Sequence, residues 1–186
     1  MPFEPLWADK PSLRVLDLGC GSGRDALCLM GLGLQIVAAD RSWEALSSLR
    51  VVEPSLPSVC LDLGEGLPLV DRCLDGILAS LSLHYFDCAQ TLRVVSDLGR
   101  CLRPNGWLLA RLNASDDVAH GAEGNPEIDH GGYLVGGRIK RFFARGDIDR
   151  LFAPPWRIEY CAHVTVEGYG SPKPLWQLIV RWEPRG

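Results

Sequence analysis

The chain has 186 residues, 47% of them hydrophobic, and a formal net charge of −4. This composition is typical of a globular domain with its own core and excludes a disordered chain. The acidic balance argues against a general attraction to nucleic acid or to an acidic membrane surface, so neither partner is expected.

The amino-terminal stretch MPFEPLWADKPS lacks a signal-peptide pattern, and no apolar run approaches the roughly 20 residues of a membrane span. We therefore expect a cytoplasmic protein in which residues 1–12 form a lead-in arm, with one helical turn over 4–9. The seven cysteines are odd in number and lack CxxC spacing. Because Cys28, Cys60 and Cys101 lie in apolar runs, we expect buried reduced thiols and neither disulfides nor a metal site.

Residues 13–24, LRVLDLGCGSGR, contain the most informative pattern of the chain. The apolar run over 13–18 predicts a buried parallel strand, and it ends in Gly19, Gly21 and Gly23. Glycine allows a tight turn there and a close approach of a ligand to the backbone. Ser22 is predicted to cap a helix over 26–30. Strand, glycine loop and helix together form the nucleotide-binding half-unit of a doubly wound sheet.

Hydrophobic periodicity predicts the elements that follow. Asp87 and Gln90 are predicted to form a capping box at the start of a helix. The apolar face of that helix should contain Leu92, Val95, Leu98 and Leu102. Other predicted segments are strands over 34–39, 59–61, 74–81 and 107–112, and helices over 43–51 and 147–152, the first of them capped by Ser42.

The carboxy-terminal part shows strict alternation over 158–167 and 176–182, which predicts two antiparallel strands joined by residues 168–174. Ile158 and Tyr160 should therefore face the same side. The sum of these elements predicts an α/β, doubly wound domain over residues 1–186, with five parallel strands and an antiparallel edge pair. Residues 113–140 are glycine-rich without any period, so we expect a long loop that covers the active site.

Three carboxylates lie at the ends of successive predicted strands, namely Asp17, Asp40 and Asp62. Asp40 lies 17 positions beyond Gly23, close to the spacing at which an acid binds ribose hydroxyls. Each aspartate alone is equally well explained as a turn or capping residue. Three of them at the carboxyl ends of adjacent strands favour ligand binding.

The glycine spacing separates two cofactor classes. A nicotinamide site requires GxGxxG, but Arg24 occupies the position of the third glycine and the pattern here is GxGxG. Arg24 directly follows the glycine loop. It is predicted either to pair with an anionic group of the ligand or to lie exposed beside Asp25.

The segment DLGCGSG over 17–23 resembles motif I of the class I S-adenosylmethionine-dependent methyltransferases. Residues 36–42 (IVAADRS), 61–63 (LDL), 75–80 (DGILAS) and 102–107 (LRPNGW) resemble the later motifs in the same order. The resemblance covers residues 12–112 and is closest to the small tellurite-resistance-like methyltransferases. It implies S-adenosyl-L-methionine as cofactor and a small-molecule methyl acceptor.

The resemblance also implies roles for individual residues. Asp17 would bind the amino group of the cofactor, Asp40 the ribose hydroxyls and Asp62 the adenine amine, with Leu63 beside the ring. The predicted cofactor-binding set is Asp17, Gly19, Cys20, Gly21, Gly23, Arg24, Asp40, Arg41, Asp62, Leu63 and Ser80.

Residues 80–86, SLSLHYF, leave the end of the fourth strand, where acceptors bind in open α/β sheets. His84 is the candidate general base, Tyr85 a wall of the acceptor pocket, and Arg141 the partner of an anionic acceptor group. The sequence slightly favours the alternative, in which His84 caps the next helix and Tyr85 and Phe86 are packing aromatics. The tetrapeptide NPPY of enzymes that methylate nucleic-acid bases is absent. A non-catalytic S-adenosylmethionine-binding module or partner subunit is the alternative function.

Overall fold

The computed structural model describes residues 6–7 and 12–184. Most of the helical turn predicted over 4–9 lies outside these residues. The strands are β1 (Arg14–Leu18), β2 (Gln35–Asp40), β3 (Ser58–Cys60), β4 (Leu74–Ser80), β5 (Leu102–Asn113), β6 (Glu127–Asp129), β7 (Gly132–Val135), β8 (Arg138–Arg141), β9 (Trp156–Val166) and β10 (Lys173–Trp182). The α-helices are α1 (Arg24–Gly31), α2 (Trp43–Val52), α3 (Cys88–Cys101) and α4 (Arg145–Leu151).

Seven strands form one sheet in the order β3-β2-β1-β4-β5-β10-β9. The first five are parallel, and β9 and β10 add an antiparallel pair at one edge. The strand order reverses between β1 and β4, which is the switch point where open sheets bind ligands. The predicted doubly wound fold is confirmed.

Successive side chains of the central strands enter two separate cores. On one side, Leu16 and Leu18 of β1 pack into the core that contains the buried faces of α3 and α4. On the other side, Val15 joins the core that contains residues of α1 and α2. The sheet is therefore covered on both faces, as its nearly continuous apolar strands require.

Two local predictions need correction, and two are confirmed. Helix α1 begins at Arg24 and its cap is Gly23, in the left-handed conformation at φ 77°, so Ser22 does not cap it. Leu92 of α3 is 48% exposed, because the buried face of the helix contains Val94 and Val95 and does not include Leu92. The caps predicted at Ser42 and Asp87 are confirmed, since their side chains accept from the amides of Ala45 and Gln90.

The alternation predicted along β9 is interrupted. The register of β9 against β10 shifts between Ile179 and Val180, so that Val180 faces Ile158 and Ile179 faces Tyr160. Ile158 consequently packs with one core and Tyr160 with the other. A bulge reverses the side-chain sequence locally, which strict alternation does not anticipate.

The predicted loop over 113–140 is instead folded. Its strands β6, β7 and β8 form a separate antiparallel sheet, preceded by a π-type turn over Val118–Ala122. Gly136 and Gly137 connect β7 and β8 with φ values of 56° and 79°. A two-residue hairpin turn of type I′ requires positive φ at both of its central residues. The strands are short and half-exposed, so they leave no long apolar period in the sequence.

Two further observations concern the cysteines and the helices. All seven cysteines are free; Cys101 is buried as predicted, whereas Cys28 and Cys60 are exposed. Among residues 6–7 and 12–184, no helix is both long and apolar enough to cross a membrane.

Candidate active site

The glycine loop after β1 is held against the end of β2 by backbone and side-chain hydrogen bonds. The amides of Gly19 and Cys20 both donate to the carbonyl of Ala39, at 2.8 and 3.0 Å. The amide of Gly21 donates to Asp40 Oδ2 at 2.8 Å, and the amide of Ser42 donates to Asp40 Oδ1 at 2.8 Å. Asp40 therefore holds the glycine loop in place. Asp40 also lines a cleft beside the loop.

The first cleft has a volume of about 800 Å³ and lies beyond the carboxyl ends of β1, β2 and β4. Asp40, Arg41, Asp62 and Leu63 line one part of it, and Tyr85 lines another. The hairpin β7–β8 contributes Arg138 and Ile139. The cleft thus brings together two of the three predicted carboxylates.

The second cleft has a volume of about 520 Å³ and shares Gly19 and Leu81 with the first. Five further residues of the predicted cofactor-binding set line this second cleft, namely Asp17, Cys20, Gly21, Arg24 and Ser80. Its opposite wall comes from the connection between β9 and β10, including Tyr169. The two clefts therefore adjoin at the glycine loop.

Asp17 is 2% exposed and its Oδ2 has no hydrogen-bond partner among the described residues. Burial, together with the carboxylates of Asp25 and Asp40, raises the pKa of Asp17 to about 7, and a hydrogen bond from the Ala26 amide opposes these effects. A buried, unsatisfied carboxylate is costly unless a ligand completes its hydrogen bonds. Asp17 is therefore suited to receive a cationic donor.

Asp62 follows β3 and caps the short 3₁₀ turn over Leu63–Glu65. Its Oδ1 accepts a 2.8 Å hydrogen bond from the Gly64 amide. This is the capping role that the sequence offered as one explanation. The same residue lines the first cleft, so capping holds the carboxylate at the cleft wall.

Ten of the eleven predicted cofactor-binding residues line the two clefts, and Gly23 is the exception. A Cβ added to Gly23 would lie 2.4 Å from Leu49 Cδ1, and one added to Gly19 would lie 2.5 Å from Ser82 Cβ. A Cβ added to Gly21 would meet nothing within 4 Å. Gly19 and Gly23 thus allow close packing, whereas Gly21 faces open space.

Arg24 and Ser80 both border the second cleft. Asp25 pairs with Arg111 at 3.8 Å and not with Arg24, among the ion pairs of the described residues. Arg111 Nη1 also donates to Ser80 Oγ at 3.4 Å. The exposed guanidinium of Arg24 is therefore available to a ligand in this cleft.

His84 does not line either cleft. It is 3% exposed, and its Nδ1 has no hydrogen-bond partner among the described residues. Burial lowers the pKa of His84 to about 3, with the positive charges of Lys140 and Lys173 acting in the same direction. A base of this strength is poorly matched to deprotonating an acceptor near neutral pH. Tyr85 lines the first cleft, with its ring centroid 4.1 Å from that of His84.

Arg141 also lies away from both clefts, which corrects its predicted role toward an acceptor anion. Its side chain is 5% exposed and pairs with Asp129. The guanidinium further donates to the carbonyls of Phe86 and His130. These contacts connect the small sheet of β6, β7 and β8 to the segment after β4. Arg141 therefore has a structural role.

Sequence reasoning missed several residues of the clefts. One of them is Leu81, which lines both clefts. Its φ of 55° is a strained value for a residue with a branched side chain. Arg138, Ile139 and Tyr169 arrive from segments that are remote in the chain. The Gly136-Gly137 pair is the one local signal that could have indicated a hairpin here.

Comparisons with known proteins agree with this geometry. The methyltransferase domain family matches residues 16–110. An uncharacterized methyltransferase of Mycobacterium tuberculosis is 36% identical over 104 residues, which are 56% of this chain and 41% of that protein. The malonyl-[acyl-carrier protein] O-methyltransferase of Pectobacterium atrosepticum is 33% identical over 142 residues, covering 76% of this chain and 53% of that one.

The chain belongs to the methyltransferase domain family. The resemblance to class I S-adenosylmethionine-dependent methyltransferases is thereby confirmed, and S-adenosyl-L-methionine is the cofactor of this family. The crystal structure of a SAM-dependent methyltransferase from Methanosarcina mazei, 18% identical, superposes with a TM-score of 0.81 and covers 95% of each chain. It shows that the methyltransferase domain has the same fold. The domain spans about half the length of the curated relatives it matches.

Proposed function

We propose that this domain binds S-adenosylmethionine across the two adjoining clefts and transfers its methyl group to a small-molecule acceptor. The observation that carries the proposal is the placement of Asp17, Asp40 and Asp62 around two clefts that share Gly19 and Leu81 beyond the carboxyl ends of the parallel strands. In open α/β sheets this is the position of a bound nucleotide.

Two observations support the fit of these residues to the cofactor. Asp17 Oδ2 is a buried acceptor without a donor, which an ammonium group would supply. Gly21 has open space where a side chain would stand, so the backbone of the loop is accessible. Asp17 and Arg24 would hold the amino and carboxylate groups in the second cleft.

The first cleft fits the adenosine part. Asp40 accepts two amides and retains lone pairs on both oxygens for the two ribose hydroxyls. Asp62 is held at the wall by its cap and would accept from the adenine amine, with Leu63 beside the ring and Arg41 at the edge. Gly19 and Leu81, which both clefts share, would then lie beside the centre of the cofactor.

The bound cofactor supplies a sulfonium methyl group, which passes to the acceptor nucleophile as the carbon–sulfur bond breaks. The domain contributes proximity and alignment, because the transfer is an in-line displacement. Tyr85 and the hairpin β7–β8 wall the first cleft and would enclose the acceptor. An anionic sulfur, selenium or tellurium acceptor needs no base, which accords with the burial of His84.

Calorimetric titration with S-adenosylmethionine and with S-adenosylhomocysteine tests cofactor binding. We expect both to bind, and failure of both would refute the proposal. Formation of S-adenosylhomocysteine is then measured with a low-molecular-mass metabolite extract as the acceptor source. Turnover that depends on the extract supports catalysis, whereas binding without any turnover would favour a non-catalytic module.

A further inference from the structure

Five ionisable residues lie near one another beyond the ends of β4 and β5, in a group that the proposed cofactor site does not use. They are His84, Asp117, His120, Lys140 and Lys173, and we call them the lysine cluster. Asp117 Oδ2 accepts from Lys173 Nζ at 2.5 Å, and Asp117 Oδ1 contacts His120 Nδ1 at 2.5 Å. Lys140 Nζ donates to the carbonyl of His120. Asp117 and Lys173 are 1% and 3% exposed.

The charges of the lysine cluster do not balance. Lys173 is paired with Asp117, whereas Lys140 forms no ion pair among the described residues. Burial lowers the pKa of the Lys140 ammonium, and the charge of Lys173 lowers it further, with Asp117 opposing both. His84 adds a buried Nδ1 without a hydrogen-bond partner in the described part of the chain. A partly buried cation and an unsatisfied ring nitrogen both gain from a bound anion.

The lysine cluster lies beside residues that line the two clefts. Tyr85, whose ring contacts His84, and Ile139, which precedes Lys140, line the first cleft. Tyr169 lines the second cleft, and its ring lies 5.7 Å from Lys173 Nζ and 6.4 Å from the ring of His120. The sulfonium of the cofactor lies between its adenosine and amino-acid parts, so an acceptor must approach where the two clefts adjoin.

We propose that the lysine cluster binds an oxyanion group of the methyl acceptor, a carboxylate or a phosphate, with Lys140 as the principal contact. This inference rests on the proposed function, because it assigns the chemical class of the acceptor. The His84 ring would complete its hydrogen bonding on the same oxyanion. Asp117 would hold Lys173 and His120 in place without neutralising Lys140.

Malonate and inorganic phosphate are the probes, titrated at constant ionic strength with and without saturating S-adenosylhomocysteine. We expect saturable binding of one of them to the wild type, and Lys140→Gln should weaken it by roughly tenfold or more. Arg145→Gln is the matched control. It removes the same charge from the exposed Arg145–Asp149 pair of α4, and binding should stay within about twofold.

The two probes distinguish the sources of the oxyanion, since malonate binding indicates a carboxylate and phosphate binding a phosphate ester. No saturable binding of either, or equal losses in both variants, would overturn the proposal. Loss on Arg138→Gln with retention on Lys140→Gln would also overturn it, because the anion would then lie at the first cleft. If S-adenosylhomocysteine fails to bind the wild type, the proposed function fails, while the titrations without it still test the lysine cluster.

A second measurement covers the case in which Lys140→Gln does not fold. The sequence contains three lysines, at positions 10, 140 and 173, so ¹⁵N-lysine labelling of the wild type gives few resonances. A saturating anion should raise the pKa of the Lys140 ammonium. An unchanged Lys140 titration in the presence of saturating anion would contradict the contact.

Discussion

The Asp40 carboxylate accepts a 2.8 Å hydrogen bond from the Gly21 amide and so joins the end of β2 to the glycine loop after β1. Two features that the sequence presents 19 residues apart are therefore one structural unit. The carboxylate faces the first cleft, and the loop faces the second. A change at Asp40 should consequently act on both halves of the cofactor site.

Asp40→Ala should weaken binding of S-adenosylhomocysteine by on the order of 1–3 kcal/mol, because a pair of hydrogen bonds to the ribose is lost. Calorimetry gives the affinity. Asp116→Ala is the control, since Asp116 is an exposed carboxylate that pairs with His163 at 2.9 Å outside both clefts. Equal affinity of wild type and Asp40→Ala would contradict the placement of the ribose.

Substitutions of the loop glycines should separate packing from binding. Gly21→Ala should cost only about 1 kcal/mol of stability, from its φ of 53°, because its Cβ meets nothing. It should nevertheless impair cofactor binding. Gly23→Ala should destabilise more strongly, since its Cβ would lie 2.4 Å from Leu49. Chemical denaturation and calorimetry on both variants check this, and a Gly21→Ala protein that binds normally would refute the role of Gly21.

Asp17 and His84 should give opposite pH dependences of stability. Because the folded pKa of Asp17 is raised from 3.8 to about 7, its contribution to the free energy of unfolding decreases as pH rises through that interval, by about 4 kcal/mol in all. Because the folded pKa of His84 is lowered from 6.5 to about 3, its contribution decreases as pH falls through that interval. The two effects oppose each other between about pH 4 and 6.5.

Asp17→Asn should therefore be more stable than the wild type at pH 8 and should lose stability from pH 6.5 downward. Urea denaturation at pH 4.5, 6 and 8 measures this, with the exposed Asp71→Asn as the control. Parallel pH profiles for Asp17→Asn and the wild type would show that the Asp17 pKa is not raised.

Cofactor binding should release a proton from Asp17. A group with a pKa of about 7 is half protonated at pH 7, and an ammonium partner favours its charged form. We expect release of about half a proton per S-adenosylhomocysteine at pH 7. Calorimetry in Bis-Tris and in Tris detects it as a buffer-dependent heat, which Asp17→Asn should abolish. A heat that is the same in both buffers for the wild type would argue against an Asp17–ammonium contact.

Arg141→Ala should lower the free energy of unfolding by roughly 3 kcal/mol, because it leaves Asp129 and two carbonyls without their buried partner. The exposed pair of Arg145 with Asp149 offers the comparison, and Arg145→Ala should cost less than about 0.5 kcal/mol. An Arg141→Ala protein of normal stability but impaired turnover would restore the catalytic role that the sequence suggested.

Local patterns predicted the centre of this domain well. The run from Leu13 to Gly23 determines a strand and a turn within a few residues, and the acids at Asp40 and Asp62 follow strands whose direction is set by the parallel sheet. These signals survive because strand, turn and cap preferences depend on neighbouring residues. Parallel pairing then brings the strand ends to one edge regardless of the rest of the chain.

The acceptor side depended on tertiary structure. Neither the burial of His84 nor the ion pair of Arg141 with Asp129 can be read from spacing, because each depends on how the small sheet packs on the segment after β4. The lysine cluster likewise joins residues up to 89 positions apart, from His84 to Lys173. By itself the sequence determined the fold and the carboxylates of the proposed cofactor site. Only the tertiary structure decided which cations lie beside that site, since burial and charge balance arise from contacts that are distant in the chain.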